Sequence, residues 1–230
     1  VGRTVEGLSG GLLGMISYAV VGHIRRKERA VALSSRLDAS LSLDDGTYGS
    51  NDNHARAWRS GPNRDGWVVV LEDDAIPVDN FKGHVRNALA NLPQTTSPVG
   101  AVSFYVGGGK PFPAMVEQAV QDAESAGSSW LIDDWLRWGV AVAMPADIIE
   151  RTIGIYEGIK KPYDQALGAA LKKQGRSILY TVPSLVDHED GPSLLHNGGV
   201  PRKALRFGEP DQWSGVPIRM RHSLRGGRRN

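Results

Sequence analysis

Three adjacent carboxylates close an apolar run in Trp67-Val68-Val69-Val70-Leu71-Glu72-Asp73-Asp74-Ala75-Ile76-Pro77. The β-branched and apolar part reads as a buried strand. Side chains alternate along a strand, so Glu72 and Asp74 are expected on one face and Asp73 on the other. Carboxylates at the end of a hydrophobic strand are costly unless positive charge sits beside them. A hard divalent cation, Mg²⁺ or Mn²⁺, suits oxygen ligands of this kind. At the carboxyl end of a parallel strand it would lie where open α/β sheets bind ligands. The alternative is a solvated acidic turn that caps the next helix.

A second cluster, Val186-Asp187-His188-Glu189-Asp190, follows the apolar run 178–182. If the strands are parallel, it lies on the same rim as Glu72 to Asp74, and His188 can give a nitrogen ligand to the same cation. Alone it reads as a surface loop with a solvated histidine. In Lys161-Pro162-Tyr163-Asp164-Gln165, Asp164 opens a helix. Asp is a favoured N-cap. A general base is the functional reading, because a hydroxyl nucleophile reacts slowly at neutral pH without proton removal.

Elements that would carry these groups alternate along the chain. Residues 15–21, 39–43, 67–71, 99–106, 139–144 and 177–182 read as strands. Residues 25–37, 51–59, 80–92, 115–126, 147–156 and 164–173 read as helices. Such alternation predicts an α/β fold with a mostly parallel sheet and helices on both faces. Residues 1–199 are expected as one domain and residues 200–230 as a basic C-terminal tail.

The absence of cysteine excludes disulfides, thiolate metal sites and a cysteine nucleophile. The apolar segment 12–21 is too short to span a bilayer, and its positive charges follow it rather than precede it. No membrane span and a cytoplasmic setting are therefore expected. Net charge is only +2, but residues 200–230 carry +6 and the remainder −4. Arg219, Arg221, Arg225, Arg228 and Arg229 would suit a polyanion such as DNA; otherwise they form a solvated end.

Several motifs fail. Gly107-Gly108-Gly109-Lys110 lacks P-loop spacing, and Pro111 follows the lysine. Asp44-Asp45-Gly46-Thr47 approaches an aspartyl phosphatase signature, but Leu43 stands at the nucleophile position. No Gly-x-Ser-x-Gly elbow is present.

Gly49-Ser50-Asn51-Asp52-Asn53-His54-Ala55-Arg56-Ala57-Trp58, followed by Val68 to Asp74, resembles glycosyltransferase family 25, which includes lipopolysaccharide sugar transferases and collagen galactosyltransferases. That family carries a Gly-Cys-x-x-Ser-His-x-x-x-Trp-like helix and then a strand ending Leu-Glu-Asp-Asp. Ser50 stands here for the usual Cys and Asn53 for the usual Ser. Pro162-Tyr163-Asp164 is similar to its Pro-x-Asp segment. The resemblance spans roughly residues 15–195, most densely 46–80.

It implies a GT-A type, Rossmann-like fold, a UDP-sugar donor and Mn²⁺ or Mg²⁺ held by Asp74, Glu72 and His188. Asp164 would take the acceptor's proton, with inversion at the anomeric carbon. Glu72 and Asp73, with Asp44 or Asp45 toward the base or ribose, are the candidate donor contacts; Arg25 and Lys110 would pair with phosphate or else are ordinary surface charges. Trp130, Trp135 and Trp138 are expected to offer an acceptor platform. For the acceptor, the basic end favours DNA bearing 5-hydroxymethylpyrimidines, as in phage-encoded modification within a host cytoplasm. A saccharide of lipopolysaccharide or capsule, or a protein hydroxyl, are the other acceptors. A sugar-nucleotide nucleotidyltransferase would show a Gly-rich basic signature near the N-terminus, which residues 7–14 lack. A non-catalytic nucleic-acid-binding protein would be expected to have lost the carboxylates.

Overall fold

In the computed structural model, residues 14–61, 65–108, 113–189 and 202–220 are described. The strands are β1 (Ile16–His23), β2 (Ser40–Asp44), β3 (Trp67–Glu72), β4 (Ala75–Pro77), β5 (Val99–Ser103), β6 (Trp130–Asp133), β7 (Ala141–Pro145), β8 (Ser177–Thr181), β9 (Val186–His188) and β10 (Ile218–Arg219). The α-helices are α1 (Lys27–Leu37), α2 (Gly49–Trp58), α3 (Phe81–Ala90), α4 (Pro113–Ser125), α5 (Ile149–Tyr156) and α6 (Tyr163–Lys173). None of the helices among the described residues is long and apolar enough to cross a membrane.

Eight strands form one sheet in the order β10-β6-β8-β5-β7-β3-β1-β2, while β4 and β9 pair as a separate ribbon. The fold is α/β, as expected. Parallel pairings (β1–β2, β1–β3, β5–β8, β6–β10) outnumber antiparallel ones (β3–β7, β5–β7, β6–β8) by four to three. Because β7 runs against both β3 and β5, those two strands are parallel to each other, and so is β8. The carboxyl ends of β1, β3 and β8 therefore share one rim, which was the condition for His188 to join Glu72 and Asp74.

The all-apolar run in β3 follows from burial on both faces. Val68 and Val70 belong to the core cluster that includes residues of α2, α4, α5 and α6, whereas Val69 and Leu71 belong to the one that includes residues of α1 and α3. Each such side chain contributes about 1.5–3 kcal/mol of transfer free energy. Gly22, at the end of β1, allows α1 to come close, since an added Cβ would stand 2.5 Å from the Ala30 Cβ.

Residues 104–106, expected to extend β5, take other partners, although the Phe104 amide still donates to the Ala141 carbonyl of β7 at 2.9 Å. Leu185 and Leu205 donate their amides to the carbonyls of Phe104 and Val106. Trp130 also departs from expectation. It is fully buried on β6 against Trp213, at 5.2 Å between ring centroids, and so cannot offer an acceptor platform.

Residues 202–220 lie on the body. Ala204 bridges to Gly107, Phe207 to Ser184, and β10 pairs with β6. Lys203 reaches Asp187, Arg206 reaches Glu117 and Glu124, and Arg219 reaches Asp134. Arg221, Arg225, Arg228 and Arg229 lie outside the described residues.

One glycine fixes α6 against the loop that leads into the site. A Cβ on Gly168 would meet the Leu136 backbone nitrogen at 2.6 Å. Gly→Ala within a helix ordinarily stabilises by about 1 kcal/mol. Overpacking a close backbone contact costs about 1–3 kcal/mol. Gly168→Ala is therefore expected to lower stability in urea unfolding. A stabilised variant would contradict this contact.

Candidate active site

β3 ends at Glu72, whose amide donates to the Val140 carbonyl at 2.9 Å. The chain then turns through Asp73 and Asp74 into β4. β4 pairs antiparallel with β9 in a register that sets Ala75 opposite His188, and the Glu189 amide donates to the Asp74 carbonyl at 2.9 Å. The ribbon thus brings His188 to the acidic strand end. Glu72, Asp74 and His188 each present one ligand atom, all within 4.8 Å of one another. Glu72, Asp74 and His188 are the residues that would hold a small hard ion here.

The donor set fits such an ion. Asp74 and His188 are buried, and the buried Asp74 Oδ1 accepts no hydrogen bond. His188 Nε2 lies 3.4 Å from Asp74 Oδ2. Burial, then the charges of Asp74 and Asp164, push the Glu72 carboxyl up to about 8. Those are conditions that a divalent ion relieves by neutralising the cluster.

Asp73 lies past the end of β3, in the turn, and shares one Arg26 nitrogen with Asp74, so strand alternation does not separate the two. Asp73 Oδ2 accepts the His23 amide at 3.2 Å, and its Oδ1 accepts Arg26 Nη1 at 3.0 Å. Arg26 also donates to Asp74 Oδ2 at 2.6 Å. Arg26 was visible in sequence only as one of three charges after β1, and it is Arg26, not Arg25, that reaches the cluster. Arg25 is exposed, with its backbone amide donating to His23 Nδ1 at 3.1 Å. Lys110 lies outside the described residues.

α2 carries the motif histidine. Asn53 ties this helix to the first two strands. Its Nδ2 donates to the carbonyls of Gly22 and Ser42, and its Oδ1 accepts the Ser42 hydroxyl at 2.7 Å. His54 is thereby held with Nδ1 at 2.7 Å from the Ser50 carbonyl, so Nδ1 carries the proton. Its Nε2 faces Glu72 Oε1 at 3.9 Å. Burial pulls the His54 pKa down to about 4, which keeps the ring neutral. Tyr163 stacks on it with centroids 3.5 Å apart. Gly139 leaves room for that tyrosine, because an added Cβ would meet its ring at 2.4 Å.

Asp164 follows Tyr163 as the second residue of α6. Pro162 is the N-cap and makes no side-chain cap hydrogen bond. Asp164 Oδ1 instead accepts the Gln165 amide at 2.8 Å. Burial raises its carboxyl above the usual range against this amide, and its charge is felt at Glu72. Arg202 brings a positive charge to the same carboxylate, and its carbonyl accepts the Tyr105 hydroxyl. The sequence offered no pointer to Arg202 beyond its charge.

Asp44 serves the turn before α2. Its two oxygens accept the amides of Gly46, Tyr48 and Gly49 at 2.9–3.1 Å. Burial opposes its charge, but these amides outweigh it and hold the carboxyl below the usual range. Asp45 is exposed and accepts the amide and hydroxyl of Thr47. Trp135 is exposed, with the Lys172 ammonium 4.3 Å from its ring centroid. Trp138 lies edge-on to Tyr105 and Tyr180, each at 6.0 Å.

No family model matches the chain, and no curated protein matches it. Among solved structures, the Drosophila β1,4-galactosyltransferase 7 in a mutant complex with manganese, UDP-Gal and xylobiose superposes with a TM-score of 0.44 at 8% identity. That match covers 82% of this chain and 76% of that one. The catalytic domain of the same enzyme with xylobiose gives a TM-score of 0.41 at 8% identity, over 83% and 77% of the two chains.

Proposed function

We propose that this protein is a metal-dependent glycosyltransferase that moves a hexose from a UDP-sugar to an acceptor hydroxyl. The observation that supports it most is the convergence of Glu72, Asp74 and His188 within 4.8 Å at the rim of the sheet, with Asp164 close by. The His54–Trp58 helix and the Leu71-Glu72-Asp73-Asp74 strand end add the resemblance to glycosyltransferase family 25. A divalent ion held by Glu72, Asp74 and His188 would offset charge on the diphosphate leaving group. Asp164 accepts the acceptor hydroxyl proton as the new oxygen–carbon bond forms and the anomeric carbon–phosphate oxygen bond breaks. In-line attack of this kind inverts the anomeric centre. A carboxyl raised by burial is a stronger base than an exposed one, which suits Asp164 to that role.

The test is donor hydrolysis across UDP-sugars with Mn²⁺ or Mg²⁺ and with chelator. Turnover of at least one UDP-sugar that chelator abolishes is expected. Metal-independent turnover, or none with any donor, would remove this function.

For the acceptor, a saccharide is favoured over DNA, because Lys203, Arg206 and Arg219 are already paired with body carboxylates. A saccharide enzyme is expected to show no salt-sensitive affinity for duplex DNA. If Arg221, Arg225, Arg228 and Arg229 instead contact phosphates, log affinity should fall with log salt by about 0.9 per contact. Removing residues 221–230 should then flatten that slope.

A further inference from the structure

The acidic cluster already holds a cation of its own. Arg26 Nη1 is 2.6 Å from Asp74 Oδ2 and 3.0 Å from Asp73 Oδ1, and both carboxylates are buried. It sits in the 3-10 turn Ile24–Arg26, immediately after β1 and on the rim shared with β3. Asp74 is also the proposed metal ligand that lies within reach of both Glu72 and His188. The Asp74 carboxylate thus faces two claims, from the guanidinium on its Oδ2 and from a divalent ion.

We propose that Arg26 makes metal binding and nucleoside diphosphate binding depend on each other. The guanidinium competes with the ion for Asp74, both by holding Oδ2 and by repelling a second positive charge a few ångströms away. A diphosphate offers new anionic oxygens, which a guanidinium grips in pairs. Drawing Arg26 onto the phosphates releases Asp74 to the ion. Asp73 makes this a pivot, since Arg26 keeps its bond to Asp73 while its hold on Asp74 changes. The His23 amide on the other oxygen of Asp73 fixes that carboxylate in place. Linkage then requires the converse, so that the ion strengthens diphosphate binding by the same factor. This inference rests on the metal-site reading above.

The experiment is a Mn²⁺ titration followed by electron paramagnetic resonance of the free ion, with and without saturating UDP. The Mn²⁺–UDP affinity is measured separately and subtracted. Wild type is expected to bind Mn²⁺ weakly alone and about tenfold or more tightly with UDP. Arg26→Gln should bind Mn²⁺ alone about tenfold more tightly than wild type, and the factor that UDP adds should be clearly smaller than in wild type, the remainder being the direct attraction between ion and diphosphate. Asp74→Asn should lose Mn²⁺ binding in both conditions.

Unchanged or weaker Mn²⁺ binding by Arg26→Gln, beside an intact Asp74-dependent site in wild type, would overturn the coupling alone. Failure of wild type to bind Mn²⁺ even with UDP would overturn the metal site and the coupling together. If Arg26→Gln is unstable by itself, Mn²⁺ should raise its melting temperature more than it raises that of wild type. An equal or smaller rise would overturn the proposal.

Discussion

Asp74→Asn is expected to reduce UDP-sugar turnover by about 10²–10³-fold or more, because charge developing on the leaving group loses its main counter-ion. Asparagine keeps the shape and one oxygen but removes the negative charge. Stability without metal should change little. Arg26 retains Asp73 as a partner, and Glu72 is relieved of a neighbouring like charge. The sign of the metal effect is the sharper test. Mn²⁺ should raise the melting temperature of wild type and leave that of Asp74→Asn unmoved, since only a ligand bound to the native state stabilises it. Equal stabilisation of both, or full activity of the variant in chelator, would rule out Asp74 as a metal ligand.

Asp164→Asn is expected to lower turnover by about 10²–10⁴-fold, with donor affinity nearly constant. Its stability should stay close to wild type. Pro162, not Asp164, occupies the N-cap, and no side-chain cap hydrogen bond is present there to lose. Asparagine can still accept the Gln165 amide through its carbonyl oxygen. A purely structural role would leave turnover intact, so wild-type transfer rates in Asp164→Asn would end the general-base assignment. The pH–rate profile adds a second readout. The acidic limb set by a base in wild type should vanish in the variant.

The strands buried on both faces were legible because continuous apolar runs have few other uses. β3 was expected at 67–71 and lies at Trp67–Glu72, and β8 was expected at 177–182 and lies at Ser177–Thr181. α3 was legible from apolar residues at helical spacing, and α6 from its alanines after Asp164. Four elements were not. β4 and β9 have three residues each and β10 has two. Such strands exist only through pairing with distant chain and leave little periodicity to read. β6 has four residues between polar segments, and its tryptophan looked like a surface aromatic.

Sheet direction was equally hidden. Nothing in 139–144 marks β7 as antiparallel, because its orientation comes from the path of the preceding loop. In the site, acidic and histidine residues were legible from their clustering. Arg26 and Arg202 were not, since one arginine within a run of basic residues carries no signal until folding sets it beside carboxylates. Asp44 shows the converse. A strand-end aspartate looked available for a ligand, yet three backbone amides of its own turn occupy it.

The β4–β9 ribbon also bears on how the chain acquires the site. It joins residue 75 to residue 188, so Asp74 and His188 meet only after most of the chain has been placed. Contacts of such sequence separation carry a large loop-closure cost and tend to form late. A growing chain released from synthesis up to β8 would hold Glu72 and Asp74 without the histidine. Metal capture at the proposed site would therefore be a checkpoint of completed folding rather than a nucleus for it, and a bound ion would slow unfolding by locking the two ends of the domain together.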